Sequence, residues 1–265
     1  MSEPLEFLGR ARAVLDAIEA EADQIRKASE WMADTVAAGG LVHAFGSGHS
    51  VIPVLDVFPR YGSFPVFHPL LDPRLMWHQV VGGGGAPGLL WLERQPGYVP
   101  TFLDDQGLRA GDLLLVFSHG GQNAAPVEAA VYAHDHGLRV VAVTSGDNLR
   151  QARARGDRRR HLADVADLTI DNGVPAEDAL VAVPGVREPL GAGSTMAVTA
   201  IIGALVSELG RALVARGVPV SAFVSPNVAG VEPEHNQRVF DAYRRALLEA
   251  AVRTPVAARD ATTTP

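Results

Sequence analysis

The residues best equipped for chemistry sit in two short segments, each directly behind an apolar run. Leu41-Val42-His43 leads into Ala44-Phe45-Gly46-Ser47-Gly48-His49-Ser50, and Leu113-Leu114-Leu115-Val116-Phe117 leads into Ser118-His119-Gly120-Gly121-Gln122-Asn123. Glycines let the backbone approach a ligand closely, and successive N–H groups can converge on an anion. Ser47, Gly48, His49, Ser50, Ser118, Gly120, Gln122 and Asn123 are therefore candidates to hold a small phosphorylated ligand without a metal. A single turn of this kind also has a plain structural reading, because a chain leaving a strand must bend. Two turns of matching chemistry favour a site. Neither fits the dinucleotide fingerprint, since Gly46-Ser47-Gly48 lacks the third Gly at the right spacing, and neither is a P-loop, since no Lys follows the glycines.

What is missing narrows the chemistry further. Lys27 is the only lysine and lies in a polar, helix-like segment. Schiff-base chemistry, pyridoxal phosphate and Walker-type ATP binding all want a Lys inside the site. The chain has no Cys, which removes thiol nucleophiles, disulfides and Cys-ligated zinc, and no His-Glu-x-x-His occurs. The expectation is a site with no metal and no cofactor, built from Glu, Asp, His, Ser and backbone donors.

Glu93 follows the apolar run Leu89-Leu90-Trp91-Leu92. Apolar surroundings raise a carboxyl pKa and suit the group to accept a proton near neutrality. The alternative is a plain surface charge beside Arg94. His235, in Glu234-His235-Asn236 at the start of the last helical segment, is either a second catalyst or part of a helix start where Glu234 complements the dipole. His78 is a further possibility, equally readable as a core or surface histidine.

These groups must be positioned by a substantial core. The chain has 265 residues, 47% of them hydrophobic and 20% charged, with a net charge of −7. That composition suits one large globular domain and argues against bulk attraction to DNA or anionic membranes. Arg150, Arg153, Arg155, Arg158, Arg159 and Arg160 form a basic run without interleaved aromatics, which reads as a solvated face. Met1 to Glu6 has neither a basic nor an apolar signal region, and the apolar stretch Met196 to Leu209 is too short to span a bilayer. A cytoplasmic protein with no nucleic-acid or membrane partner is expected.

Helical spacing of Leu8, Leu15, Ile18, Ala22, Ile25, Met32 and Val36 predicts one long helix over residues 4–38, stopped by Gly39-Gly40. Strands are expected at Leu41–Phe45, Phe64–Phe67, Leu113–Phe117, Arg139–Thr144 and Leu168–Ile170. Helices are expected at residues 51–61, 86–94, from about Ala125 to Gly137, 147–162, 194–216 and 233–252. Residues 172–193 read as loop, and the Thr- and Pro-rich residues 253–265 as a disordered tail. Alternating strands and helices imply a parallel sheet covered on both faces, with ligands at the carboxyl ends of its strands. The two Gly/Ser turns fall there. The division expected is residues 1–40 as an N-terminal helix packing on the core or a dimer partner, and residues 41–252 as the domain.

These two turns, together with Gly191-Ala192-Gly193-Ser194-Thr195 before a long helix, resemble the SIS (sugar isomerase) domain over nearly the whole chain. The resemblance is closest to bacterial SIS proteins bearing Phe-Gly-x-Gly-His-Ser (here Phe45–Ser50), Leu-Glu-Arg-x-Pro-Gly (here Leu92–Gly97) and Glu-His-Asn (here Glu234–Asn236). It implies an α/β fold with a five-stranded parallel sheet flanked by helices on both faces. It also implies homodimers, Ser-rich loops that bind a sugar phosphate, and Ser194 and Thr195 among the ligand contacts. The second loop departs from the usual Ser-x-Ser-Gly, because Gly120 replaces the second Ser. The branch resembled has been linked to dehydration of N-acetylglucosamine 6-phosphate, chemistry akin to MurNAc-6-phosphate etherase, so the implied partner is a phosphorylated amino sugar. Aldose–ketose isomerases and non-catalytic phosphosugar sensors belong to the same family and stay open as alternatives. The resemblance casts Glu93 as the base at C2 and His235 as the group handling protons at the ring oxygen or leaving hydroxyl.

Overall fold

The computed structural model describes residues 5–252; the tail read as disordered, 253–265, lies outside them. The chain opens with α1 (Glu6–Ala20) and α2 (Ala22–Ala37), followed by β1 (Val42–Gly46), α3 (Val51–Val57) and β2 (Phe67–Leu70). The short helices α4 (Ala86–Leu92) and α5 (Tyr98–Leu103) precede β3 (Leu113–Phe117), α6 (Ala124–Asp135) and β4 (Arg139–Thr144). Then come α7 (Gly146–Ala154), α8 (Leu162–Val165), β5 (Leu168–Asp171), the pair β6 (Ala179–Val181) and β7 (Leu190–Ala192), α9 (Ser194–Ala215) and α10 (His235–Val252).

Five strands form one parallel sheet in the order β2-β1-β3-β4-β5. Every residue of β1 and β3 is buried, as expected of central strands covered on both faces. Alternation along the strands splits the core into two layers. Val42 and Ala44 of β1 pack with Met32 of α2 and Ile201, Leu205 and Leu209 of α9, whereas Phe45 packs with Leu89, Phe102 and the alanine face of α6. The chain reverses its direction of winding between β1 and β3, which opens a crevice at their carboxyl ends.

The structure corrects several expectations. The N-terminal segment is two helices, not one. Glu21 leaves helical geometry (ψ 10°), and its carboxylate accepts the Asp171 N–H at the end of β5. No Gly or Pro marks this bend, because it is imposed by packing against the sheet. The second strand lies at Phe67–Leu70, three residues beyond the expected start, because Val42 N–H bonds the Val66 carbonyl and sets the register from there. The helix expected over 147–162 stops at Ala154, where Gly156 turns into the left-handed region (φ 80°). Residues 172–193 contain the antiparallel pair β6–β7, three residues each, half-buried in β6 and exposed in β7, too short to leave an alternating apolar signature. Finally, α9 is 22 residues long and by length and composition could cross a membrane. In the fold its apolar face, including Ala197, Ile201, Leu205 and Leu209, is buried against the sheet-covering layer.

At the amino ends of the strands, His43 and Asp112 form a buried pair. His43 Nε2 lies 3.0 Å from Asp112 Oδ2, and both side chains are 1% exposed. Asp112 also accepts the Leu41 and Arg109 N–H groups, tying the starts of β1 and β3 together.

Candidate active site

Glu93 sits at the carboxyl-terminal cap of α4 and is 6% exposed. The cap position turns its side chain away from solvent into the crevice between β1 and β3. Its main-chain carbonyl accepts the Ala125 N–H, fixing α4 to the first turn of α6. Its carboxylate joins the two Gly/Ser turns. Ser47 Oγ donates to Oε2 at 2.9 Å, and Asn123 Nδ2 donates to Oε1 at 2.9 Å. Asn123 occupies the N-cap position of α6, yet its side chain makes no cap and goes to Glu93 instead. Burial pushes the Glu93 pKa up; the Ser47 hydrogen bond and the Arg94 guanidinium, 3.6 Å away, oppose that shift without cancelling it. The result is a desolvated carboxylate with a raised affinity for a proton, held by two donors.

Gly48 adopts φ 60°, and a Cβ there would lie 3.8 Å from Glu93 Oε2. The backbone of the first turn thus passes directly beside the carboxylate. At Gly46 the constraint is tighter, since a Cβ would stand 2.1 Å from the Ser50 carbonyl oxygen. His49 points outward and meets the Trp77 ring at 4.4 Å between centroids. Ser50 closes the turn by donating its N–H to the Ser47 carbonyl.

In the second turn, Ser118 Oγ accepts the Gly121 N–H at 3.1 Å, and Gly121 takes φ 61°. Gln122 reaches the Asn148 amide at 3.5 Å. A Cβ on Gly120 would meet nothing within 4 Å.

The remaining candidates are engaged with other partners and share no hydrogen bond with Glu93 among the described residues. Ser194 donates its hydroxyl to Asp178 Oδ2 at 2.9 Å and its N–H to Oδ1, so Asp178 caps α9. Thr195 follows in the first turn of that helix. His78 is exposed and donates its N–H to the Gly84 carbonyl, inside the glycine loop. His235 Nε2 lies 2.8 Å from the Ala222 carbonyl, and Asn236 brackets Val224 with both ends of its amide. Among the described residues no hydrogen bond links His235 to Glu93 within one chain. Two cavities lie elsewhere. One of about 400 Å³ is bounded by Arg153, Gly156, Asp157 and Arg158, and one of about 120 Å³ by residues that include His43, His68 and Leu247.

The sequence reading did not single out His119, Asn148 or Asn172. They meet at the carboxyl ends of β3, β4 and β5, where Asn148 Nδ2 lies 3.1 Å from His119 Nε2 and Asn172 Nδ2 lies 3.2 Å from His119 Nδ1. The available signal was position: each follows one of three consecutive strands of the same sheet.

With this geometry in view, the profile of the SIS domain matches residues 6–145. The chain belongs to the SIS domain family. Similar proteins of this family run nearly its full length. A UPF0309 protein of Streptomyces griseus is 36% identical over 242 residues, covering 90% of this chain and 94% of the relative. One from Listeria innocua is 30% identical over 236 residues, covering 89% of this chain and 93% of the relative. Among solved structures, the phosphoheptose isomerase GmhA of Neisseria gonorrhoeae aligns with 77% of this chain and 95% of its own, at 17% identity and a TM-score of 0.49.

Proposed function

We propose that this SIS protein binds a phosphorylated amino sugar and acts on it as a carbon–oxygen lyase, dehydrating N-acetylglucosamine 6-phosphate. The observation that supports this reading is Glu93: a buried carboxylate of raised proton affinity, gripped by one residue from each Gly/Ser turn. Glu93 takes the proton from C2 of the open-chain sugar, where the neighbouring C1 aldehyde makes it acidic. The C–H electron pair moves onto the C1 oxygen as an enolate. The carbonyl then re-forms, a C2=C3 double bond appears, and the C3 hydroxyl leaves as water after taking a proton.

The phosphate is held by the turns without a metal. Ser118 Oγ already accepts the Gly121 N–H, so its own proton can go to a phosphate oxygen. Asn123 uses one amide proton on Glu93 and keeps another for the ligand. Gln122 completes the set with the loop N–H groups, whereas the expected phosphate contact from the Ser47 hydroxyl is displaced, because its single proton goes to Glu93. His235, the proposed proton donor to the leaving hydroxyl, comes from the second copy in a homodimer. Val80, Val81, Leu90 and Trp91, on the glycine loop and on α4 next to Glu93, are 75%, 69%, 47% and 65% exposed, an apolar rim suited to that contact. A monomeric mass at micromolar concentration overturns the dimer.

A second reading, aldose–ketose isomerisation, is favoured by one observation. Within a chain, His235 is engaged with Ala222 and no leaving-group acid stands beside Glu93. An isomerase needs none, because it returns the C2 proton to C1. Incubation with N-acetylglucosamine 6-phosphate in the presence of EDTA, followed by mass spectrometry, separates these outcomes. Loss of one water supports the lyase; in a parallel incubation with a hexose 6-phosphate that carries a C2 hydroxyl, which a ketose requires, unchanged mass with altered retention supports the isomerase. Binding without turnover supports a sensor, and activity lost to EDTA and restored by metal refutes the metal-free site.

A further inference from the structure

The arginine-rich segment at the end of α7 carries more positive charge than its own structure uses. Residues 150–160 hold six of the chain's 23 Lys and Arg residues, although the chain as a whole is acidic at −7. Three of the six are paired: Arg150 with Asp147, Arg153 with Asp164 and Arg159 with Asp157. Arg155, Arg158 and Arg160 are exposed and have no carboxylate partner among the described residues. The three consecutive arginines at 158–160 repel one another, and an anion beside them relieves that cost.

The paired arginines build a frame for the unpaired ones. Gly156 turns the chain at φ 80° just past α7. Arg153 then holds the returning segment: its Nη1 donates to the carbonyls of Asp157 at 2.9 Å and Arg159 at 3.0 Å, and its Nη2 donates to Asp164. Arg159 Nη2 donates to Asp157 Oδ2 at 2.7 Å, which offsets the one carboxylate beside the cavity. That cavity, about 400 Å³ between Arg153, Gly156, Asp157 and Arg158, lies in the size range of small-molecule sites and gives more room than one bare oxyanion fills. Arg158 brings an unneutralised guanidinium to its wall. Arg153, with three of its five N–H groups committed, has two left. None of the four bordering residues is aromatic or has a large apolar side chain, so nothing there stacks a nucleobase or takes an acyl chain.

We infer that this cavity is a second ligand site, one for a small sugar phosphate, with Arg158 as the cation that takes the phosphate and Arg153 as the fixed wall beside it. The site is separate from the two Gly/Ser turns, none of whose residues borders it, yet the chain keeps it near the second turn. Leu162, four residues past Arg158, donates its N–H to the Gly121 carbonyl at 2.8 Å, so the Arg158 backbone stays within about 14 Å of that bond's donor residue. The arginine site does not rest on the phosphate-binding reading of the turns.

Equilibrium dialysis of the full-length protein with radiolabelled N-acetylglucosamine 6-phosphate counts the sites, and two per chain are expected in the wild type. Arg158→Gln should weaken one of them about tenfold, as the loss of one charge-assisted hydrogen bond does, and Arg158→Glu should abolish it. Arg158 is exposed and unpaired, so both variants should keep the fold, which circular dichroism checks. Ser118→Ala should weaken the other site only. Two unaltered sites in Arg158→Glu, or a single site that Ser118→Ala weakens and Arg158→Glu spares, overturns the inference and leaves the reading of the turns intact. A single site that Arg158→Glu abolishes supports the inference and removes the phosphate reading of the turns instead. Inorganic phosphate should displace the sugar phosphate from the arginine site only at far higher concentration, and equal displacement overturns the sugar-sized ligand. Displacement by a short DNA duplex whose binding is lost in Arg158→Glu overturns the small-molecule assignment.

Discussion

Ser47 Oγ donates to Glu93 Oε2 at 2.9 Å, joining the turn after β1 to the cap of α4 across 46 residues of sequence. The bond selects one carboxylate oxygen and leaves the other to Asn123. Deleting the base while keeping its shape is the direct test. Glu93→Gln should lower turnover about 10²–10⁴-fold, the usual contribution of a general base, while phosphosugar affinity survives. Near-normal turnover in that variant moves the base elsewhere.

The raised proton affinity of Glu93 has consequences of defined sign. The base works only when ionised, so the acidic limb of kcat/KM should lie above the ordinary value of 4.5. Ser47→Ala removes a bond that lowers the Glu93 pKa and should move that limb further up. Stability runs the other way: the native state keeps the proton at a pH where the unfolded chain has lost it, so stability falls as pH rises from about 4.5 through the native value. Denaturant titrations across that window should show the slope in the wild type and lose it in Glu93→Gln.

Gly120 occupies open space and does not use the left-handed region. Gly120→Ser should therefore fold normally and supply the hydroxyl that the second turn lacks relative to the Ser-x-Ser-Gly pattern. Phosphosugar affinity should rise several-fold by calorimetry, as one added hydrogen bond to a charged group allows. Unchanged affinity would mean that the phosphate does not approach this position.

Asp112→Ala should separate stability from chemistry. It removes the acceptor of His43 Nε2 and of two backbone N–H groups, and each donor left unpaired in a buried setting costs about 1–3 kcal/mol. The pair lies at the amino ends of the strands, opposite Glu93. Chemical denaturation should show the loss, and activity per folded molecule should stay unchanged.

Much of this molecule is legible in its amino-acid sequence because the causes are local. The apolar run of β3, with those of β1 and β4 interrupted only at His43 and at the ends Arg139 and Thr144, reads as buried parallel strands, and the Gly- and Ser-rich segments behind β1 and β3 read as turns at their carboxyl ends. Glu93 is readable from its neighbours either as a desolvated carboxylate or as a surface charge beside Arg94; its burial and its bonds to Ser47 and Asn123 decide. Other features depend on residues far apart in the chain. The bend at Glu21 follows the end of β5, and no local residue announces it. Asp178, itself at φ 65°, and Ser194 flank the β6–β7 pair, which brings the two ends of the segment together. Residue types fixed which groups could do chemistry; the sheet order, by placing β1 beside β3, decided which of them meet, because hydrogen bonds form only between groups that the fold brings within about 3 Å.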